Sequence, residues 1–175
     1  FVSTMREGKV YAVSSIDSQP EVLTIASGLY MPNGVAFEDG NLYVAEIHRV
    51  HKFTDIEDRL NAPESRVINK SYPTDRHHGW RYITFGPDGK LYIPIGSPCN
   101  ICDEPDYGVI TRIDTDGSNK EVIAHGIRNT VGITFHPQTN DLWFTDNNKD
   151  MMGDDIPPGE LNRLSTEGEH FGFPF

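Results

Sequence analysis

Residues 82–93 read YITFGPDGKLYI, two short runs of mainly apolar residues joined by the turn sequence Gly-Pro-Asp-Gly. This pattern predicts a β-hairpin, because proline and glycine supply the backbone angles of a tight turn between two strands. Two other stretches repeat it, GVAFEDGNLYV at 34–44 and GITFHPQTNDLWF at 132–144. We therefore expect hairpins at 34–44, 82–95 and 132–145.

The spacing of the three copies predicts an all-β propeller. Phe37, Phe85 and Phe135 hold the same place in each copy, so the periods are 85 − 37 = 48 and 135 − 85 = 50 residues. Propeller blades of four antiparallel strands repeat at about 40–50 residues. The alternation has a period of two, so we expect no helix longer than a couple of turns. The 175 residues should form a single domain, 1–175, holding three to four blades.

Three to four blades make a partial ring, since a closed propeller has at least about four blades and often six. The chain begins with Phe1, without a charged and then apolar leader sequence, and reads as a piece of a longer protein. We expect it either to belong to a larger ring or to close a ring by pairing with a second copy as a homodimer.

The charge of the chain bounds its partners. The formal net charge is −11 at pH 7, and so acidic a surface repels phosphate backbones, which argues against nucleic acid as a partner. No window approaches the ~18–20 apolar residues that a membrane span requires. Metal cations and neutral small molecules are the expected ligands.

Two cysteines, Cys99 and Cys102, occur in the sequence Cys-Asn-Ile-Cys. A zinc site needs two further ligands at similar spacing, and haem attachment needs histidine where Asp103 stands. The pair is therefore either a disulfide that staples a loop or two thiols without chemical function. A disulfide would agree with a periplasmic or secreted protein.

Two polar loops precede hairpins, where the loops of a propeller converge on its central axis. Residues 76–80 contain His77 and His78, and a neutral imidazole can serve as a general base near pH 7. Residues 126–132 contain Arg128 and Asn129; the planar arginine fork suits a carboxylate or a quinone oxygen. A solvated surface turn is the alternative in both places.

A third loop is rich in oxygen ligands. Residues 146–150 read Asp-Asn-Asn-Lys-Asp, and Asp154, Asp155 and Glu160 follow. Calcium takes six to eight oxygen ligands, including backbone carbonyls, and the spacing is not that of an EF-hand. We expect calcium binding within residues 146–171, with a solvated acidic loop as the alternative.

Taken in order, these motifs resemble the soluble aldose dehydrogenases that depend on pyrroloquinoline quinone (PQQ), and most closely the sorbosone dehydrogenase-like branch. The resemblance covers roughly residues 30 to 175. It depends on five pieces in sequence order: His78-Gly79, residues 85–92, residues 128–137, Glu160-Leu161-Asn162, and residues 170–174, which read HFGFP.

The resemblance implies a six-bladed propeller that oxidises aldose sugars or related aldehydes, with PQQ and calcium as cofactors and a quinone or cytochrome as electron acceptor. In that reading His78 is the general base and Arg128 stabilises negative charge on the quinone oxygens. His77 and Asn129 contact the cofactor. The carbonyls of Asn148 and Lys149 hold the PQQ-bound calcium, and Glu160 with the carbonyl of Phe171 holds a second, structural calcium.

The family pattern does not choose cleanly between the adjacent histidines. Alignment on the Gly-Pro-Asp-Gly turn selects His78 as the base, whereas alignment on Arg81 selects His77; we prefer His78, because the turn sets the strand register. Two other functions stay open. A calcium-dependent lactonase of the gluconolactonase or regucalcin type is suggested by residues 31–37 and 144–147, and a non-catalytic propeller module is suggested by the partial ring.

Overall fold

The computed structural model describes residues 1–14 and 19–175, and its regular secondary structure is almost entirely antiparallel strand. The one helical element within these ranges is the 3-10 helix Ile56–Arg59. The strands are β1 Val2–Thr4, β2 Lys9–Val13, β3 Val22–Ala26, β4 Gly34–Glu38, β5 Asn41–Ala45, β6 Val50–Phe53, β7 Ser65–Asn69, β8 Thr84–Phe85, β9 Leu91–Ile95, β10 Val109–Ile113, β11 Glu121–His125, β12 Ile133–Phe135, β13 Leu142–Asp146, β14 Glu160–Arg163 and β15 Glu169–His170.

The strands form four sheets that follow one another along the chain. The first is β1–β2–β3, the second β4–β5–β6–β7, the third β8–β9–β10–β11, and the fourth β12–β13–β14. β15 returns to the third sheet and pairs with β11 in parallel. Among the described residues, the sheets therefore contain three, four, five and three strands, and only the second has the four strands expected of a blade.

All three predicted hairpins are confirmed: β4 pairs with β5, β8 with β9, and β12 with β13, each antiparallel. The expected scarcity of helix is confirmed as well. Across the described ranges, no helix has both the length and the apolar character required to cross a membrane.

Successive sheets pack face to face, because alternate residues of the second strand in each repeat bury on opposite faces. In β5, Leu42 and Val44 pack with the first sheet, whereas Tyr43 and Ala45 pack with the third. The tyrosine of one repeat meets the phenylalanine of the next edge to face. The ring centroids of Tyr43 and Phe85 are 4.9 Å apart, as are those of Tyr92 and Phe135. This packing holds equivalent positions of neighbouring repeats side by side.

Candidate active site

His78 and Arg128 hold equivalent positions in successive repeats. Each lies seven residues before the phenylalanine that ends the first strand of its hairpin, since 85 − 78 = 7 and 135 − 128 = 7. Because the third and fourth sheets pack together, these two positions lie at the same end of the molecule. Both side chains line one cavity of about 470 Å³, which we call the His78–Arg128 cleft; its walls are Arg76, His77, His78, Trp80, Arg128, Asn129, Asn147 and Asp150.

His78 is half-buried, and a hydrogen bond to the backbone holds its ring. Nδ1 lies 2.9 Å from the carbonyl oxygen of Ser97. A carbonyl accepts only, so Nδ1 carries the proton of the neutral ring and Nε2 is left as the acceptor. Burial lowers the pKa of His78, against the opposing effect of the Ser97 carbonyl; His77 and Arg128 lower it further. The ring is therefore set up to be neutral near pH 7 and to take a proton at Nε2.

His77 lines the same cleft but is exposed. Its ring centroid is 3.9 Å from that of His78. Arg81, on which the alternative alignment that selects His77 was based, is 2% exposed and donates to the backbone carbonyls of Ile47 and His78. Arg81 thus fixes the backbone of this loop from beneath, and it does not line the cleft.

Gly96, which directly follows β9, packs closely against two residues of the cleft, His78 and Asn129. A Cβ atom added there would lie 2.6 Å from Cβ of His78 and 3.0 Å from Oδ1 of Asn129. No side chain larger than hydrogen fits between them without displacing one of the two. The close packing of position 96 against both His78 and Asn129 therefore depends on glycine there.

Arg128 is 2% exposed, and most of its guanidinium is bound by protein oxygens. Nε donates to the carbonyl of Asn100 at 3.0 Å and Nη1 to the carbonyl of Asn147 at 2.9 Å. Nη2 donates to Oδ1 of Asn100 at 2.9 Å and to Oδ2 of Asp150 at 2.6 Å. Four of the five guanidinium N–H groups are engaged in this way, which leaves one on Nη1. The side chain is rigidly oriented rather than a mobile surface cation.

The remaining predicted residues meet in a second, smaller space. Asn148, Lys149, Glu160 and Phe171 line a cavity of about 70 Å³ together with Asp146 and residues 172, 173 and 175. We call this the Glu160 cavity. The sequence interpretation assigned these four residues to two calcium ions, whereas the structure places all four around one cavity.

Asp146 lies between the two spaces. Its carboxylate accepts the backbone N–H of Arg128 at 3.0 Å and that of Asn129 at 2.7 Å. Burial raises its pKa, and the two amide hydrogen bonds oppose that rise. Asp146 therefore anchors the segment that presents Arg128 and Asn129 to the cleft.

The oxygen atoms around the Glu160 cavity suit a hard cation only if backbone groups contribute. Within residues 1–14 and 19–175, no group of three or more His, Cys, Asp or Glu side chains is placed to hold a metal ion. The carboxylates of Asp146 and Glu160 border the cavity, and the ammonium of Lys149 is turned to the carbonyl of Pro174 at 2.8 Å. Calcium accepts backbone carbonyls as ligands, so two carboxylates supplemented by carbonyls are compatible with it.

Several residues of the cleft were not singled out from the sequence. Trp80 presents a 45% exposed indole to the cavity, and Asp150 pairs with Arg128. Asn100 reaches Arg128 from 28 positions away. The structure also joins Cys99 and Cys102 in a disulfide. The only sequence signal for Asn100 and Asp150 is proximity to a motif, because both contact Arg128 from distant segments. The disulfide, between residues three apart, is one of the two alternatives that the sequence had left open.

Comparison with known proteins identifies similar sequences. A profile described as glucose/sorbosone dehydrogenase matches residues 39–175. An uncharacterized protein of Borreliella burgdorferi is 32% identical over 169 residues, which cover 89% of this chain and 44% of that protein.

Solved structures are similar at lower identity. The holo PQQ domain of pyranose dehydrogenase from Coprinopsis cinerea has a TM-score of 0.77 at 14% identity, covering 97% of this chain and 50% of that one. A putative oxidoreductase (glucose dehydrogenase) from Thermus thermophilus has a TM-score of 0.71 at 21% identity, covering 97% and 60%. The calcium-binding protein regucalcin from Agrobacterium tumefaciens has a TM-score of 0.61 at 17% identity, covering 93% and 54%. The chain thus spans about half the length of the proteins it matches.

Proposed function

The chain belongs to the glucose/sorbosone dehydrogenase family, and from this premise we propose that it forms part of a PQQ-dependent dehydrogenase that oxidises aldose sugars or related aldehydes. The observation that carries the proposal is the convergence of His77, His78, Arg128 and Asn129 on one cleft. These residues come from two separate loops, and only the packing of the third sheet against the fourth brings them together.

The cleft fits a planar, anionic quinone. Its volume of about 470 Å³ lies in the range of about 300–1,000 Å³ that is usual for small-ligand sites. PQQ carries carboxylates and quinone oxygens, and the cleft offers the guanidinium groups of Arg76 and Arg128 together with the flat indole of Trp80. When bound, PQQ supplies a quinone that accepts two electrons and a proton equivalent from the substrate.

Each protein group then has a defined task. Nε2 of His78 takes the proton of the substrate hydroxyl, since Nδ1 is committed to the carbonyl of Ser97. The remaining N–H of Arg128 would stabilise negative charge on the quinone oxygens. The other four hydrogen bonds of the guanidinium hold that N–H in a fixed orientation. The amide of Asn129 orients the cofactor beside it, and His77 contributes from the exposed rim of the cleft.

We place calcium at the Glu160 cavity. The ligands would be the carboxylates of Asp146 and Glu160 with backbone carbonyls of Asn148, Lys149 and Phe171, a set of oxygen atoms that calcium prefers. The segment that lines this cavity continues directly into the cleft through Asn147 and Asp150. Bound calcium would therefore also stabilise the wall of the organic site.

One observation counts against the lactonase alternative. That reaction requires carboxylate and amide side chains to meet on a single axial metal. Glu46 and Asp146 hold equivalent places in their repeats. Glu46 lies four residues after Leu42, and Asp146 lies four residues after Leu142. Glu46 is already paired with Arg49 at 2.7 Å, and Asp146 accepts two backbone amides. The carboxylate of Glu46 is thus engaged by a protein cation. Asp146 uses only two of its roughly four lone-pair sites for these amides and can still ligate the calcium proposed above.

Further ligands for PQQ would come from other parts of the whole protein. We propose a six-bladed ring in which further blades, or a second copy of the chain, add basic side chains for the PQQ carboxylates. Electrons would leave to a quinone or a cytochrome. A periplasmic or secreted location would agree with the disulfide between Cys99 and Cys102.

The proposal is tested on the full-length protein by adding PQQ and calcium and recording the visible absorbance of the bound quinone. Turnover is then assayed with aldoses, related aldehydes and sugar lactones, with an artificial dye as electron acceptor. We expect stoichiometric PQQ binding and dye reduction by an aldose or an aldehyde. Hydrolysis of a lactone with calcium, in a protein that does not bind PQQ, would replace the proposal with the lactonase.

A further inference from the structure

The loop closed by Cys99 and Cys102 lies directly behind the His78–Arg128 cleft. Its first contact is through Ser97, whose carbonyl holds Nδ1 of His78. The Ser97 hydroxyl donates to the carbonyls of Cys99 at 3.1 Å and Cys102 at 3.2 Å. The residue that orients the imidazole is thus tied to both ends of the disulfide loop.

The second contact is through Asn100, which lies inside that loop. Its Oδ1 accepts Nη2 of Arg128 at 2.9 Å and the backbone N–H of Asp150 at 2.8 Å. Its Nδ2 donates to the carbonyl of Asp150 at 3.0 Å, and its own carbonyl accepts Nε of Arg128 at 3.0 Å. One asparagine therefore makes four hydrogen bonds to the two charged residues that pair across the cleft wall.

From these contacts we propose that Asn100 is the positioning residue of the site, and that the disulfide between Cys99 and Cys102 holds it in place. This inference rests on the proposed function, because the side chain that Asn100 positions is Arg128, which would face the cofactor. Asn100 would act through Arg128 and Asp150.

The chemistry of asparagine suits all of these contacts, and the acceptor oxygen carries the bonds to Arg128 and to the Asp150 amide. Its side chain both accepts and donates, so it can satisfy a guanidinium N–H, a backbone N–H and a backbone carbonyl at once. Aspartate keeps the acceptor oxygens but loses the donor. Alanine loses both and leaves only the backbone carbonyl on Nε of Arg128. The disulfide restricts the few residues between the cysteines, which reduces the conformations in which Asn100 would miss its partners.

The test compares Asn100→Ala and Asn100→Asp in the full-length protein. Asn41→Ala is the matched control, because Asn41 also bonds backbone carbonyls but does so in the β4–β5 turn. Two readouts are used: hydrogen exchange of the peptide that carries Asp150, and the dissociation constant for PQQ from absorbance titration. Thermal melting verifies that each variant is folded.

We expect Asn100→Ala to speed exchange of the Asp150 amide and to weaken PQQ binding about tenfold, since hydrogen bonds to a charged group are lost. Asn100→Asp should retain most of the protection and most of the affinity, and Asn41→Ala should match the wild type in both. A Cys99→Ser/Cys102→Ser variant should follow Asn100→Ala in direction with a smaller change.

PQQ affinity of Asn100→Ala within twofold of the wild type would overturn the proposal, as would unchanged exchange at Asp150. If Asn100→Ala is not folded, the Cys99→Ser/Cys102→Ser variant decides: faster exchange at Asp150 together with weaker PQQ binding supports the positioning role, and no change in either contradicts it. If the wild-type protein itself does not bind PQQ, the proposed function fails. The exchange measurement then decides alone whether Asn100 holds Asp150 in place.

Discussion

The His78–Arg128 cleft and the Glu160 cavity share a wall but differ in size and charge. Residues 146–150 run between them: Asn147 and Asp150 line the cleft, whereas Asp146, Asn148 and Lys149 line the cavity. The cleft measures about 470 Å³ and the cavity about 70 Å³. A single segment thus lines both the larger space and the smaller one.

The difference shows how one acidic loop can border two spaces of different charge. On the cleft side, Asp150 is paired with Arg128, and the other groups that face the space are cationic or neutral. On the other side, Asp146 and Glu160 border the cavity. The side on which each residue falls, rather than the number of acidic residues in the loop, separates a cleft with cationic walls from a cavity bordered by two carboxylates.

The largest expected effect is on turnover when His78, the proposed general base, is replaced. His78→Ala in the full-length protein should lower kcat by about 10²–10⁴, because a general base acts on the proton in flight in the transition state. PQQ affinity should change little, as measured by absorbance titration. His77→Ala is the control, since it removes the exposed neighbour while leaving Nδ1 of His78 on Ser97. Loss of turnover in His77→Ala but not in His78→Ala would assign the base to His77.

A smaller effect, on binding and turnover together, is expected at Arg128. Arg128→Lys keeps the positive charge but loses the planar fork that bonds Asn100, Asn147 and Asp150. We expect PQQ affinity to fall about 10–100-fold, since several charge-assisted hydrogen bonds are lost. Titration of the variant against the wild type measures this. Unchanged affinity would show that the cofactor does not depend on the orientation of Arg128.

The Glu160 cavity is tested by stability rather than by turnover. Calcium at 100 times its Kd should stabilise the folded protein by about 2.7 kcal/mol, which raises the melting temperature by about 5–10 °C in a domain of this size. Melting in calcium against a chelator measures the shift. Glu160→Gln should reduce the shift, whereas Glu57→Gln, in the 3-10 helix, should leave it intact. Equal melting temperatures in calcium and in chelator would contradict calcium binding at this cavity.

The smallest expected effect is a displacement of the pH profile. Burial lowers the pKa of His78, with His77 and Arg128 acting in the same direction and the Ser97 carbonyl and Asp150 against them. The base is active when deprotonated, so kcat/KM should fall as the pH drops through a midpoint below the ordinary histidine value of about 6.5. His77→Ala removes one lowering influence and should move that midpoint upward. A midpoint at or above the ordinary value would contradict the burial of the base.

The same pKa shift bears on stability. A histidine whose pKa is lowered by folding binds fewer protons in the folded than in the unfolded protein, so its contribution to stability is present above the ordinary pKa. That contribution is lost as the pH falls through the lowered value. The free energy of unfolding and kcat/KM should therefore both fall over the same acidic range. Unfolding measured as a function of pH tests this.

Sequence reasoning succeeded where the signal is local. The hairpins at 34–44, 82–95 and 132–145 were predicted from turn residues and alternation, both of which act over a few neighbouring residues. The loops at 76–80 and 126–132 were selected for their side-chain chemistry, and the cleft contains residues of both. Four strands were expected in each blade, and among the described residues only the second sheet has four. The third has five, because β15 joins it after the chain has passed through the fourth, a pairing between distant segments that no local pattern encodes.

By itself the sequence determined the repeat, and the repeat determined which residues hold equivalent positions, because a regular period places the residue seven positions before each repeated phenylalanine at the same end of its sheet. Tertiary structure decided the rest. The hydrogen bonds of Asn100 to Arg128 and Asp150, the close approach at Gly96 and the division of residues 146–150 between two cavities all depend on how neighbouring sheets pack. Distances between segments 28 or 50 residues apart are set by that packing, and no local pattern of residues encodes them.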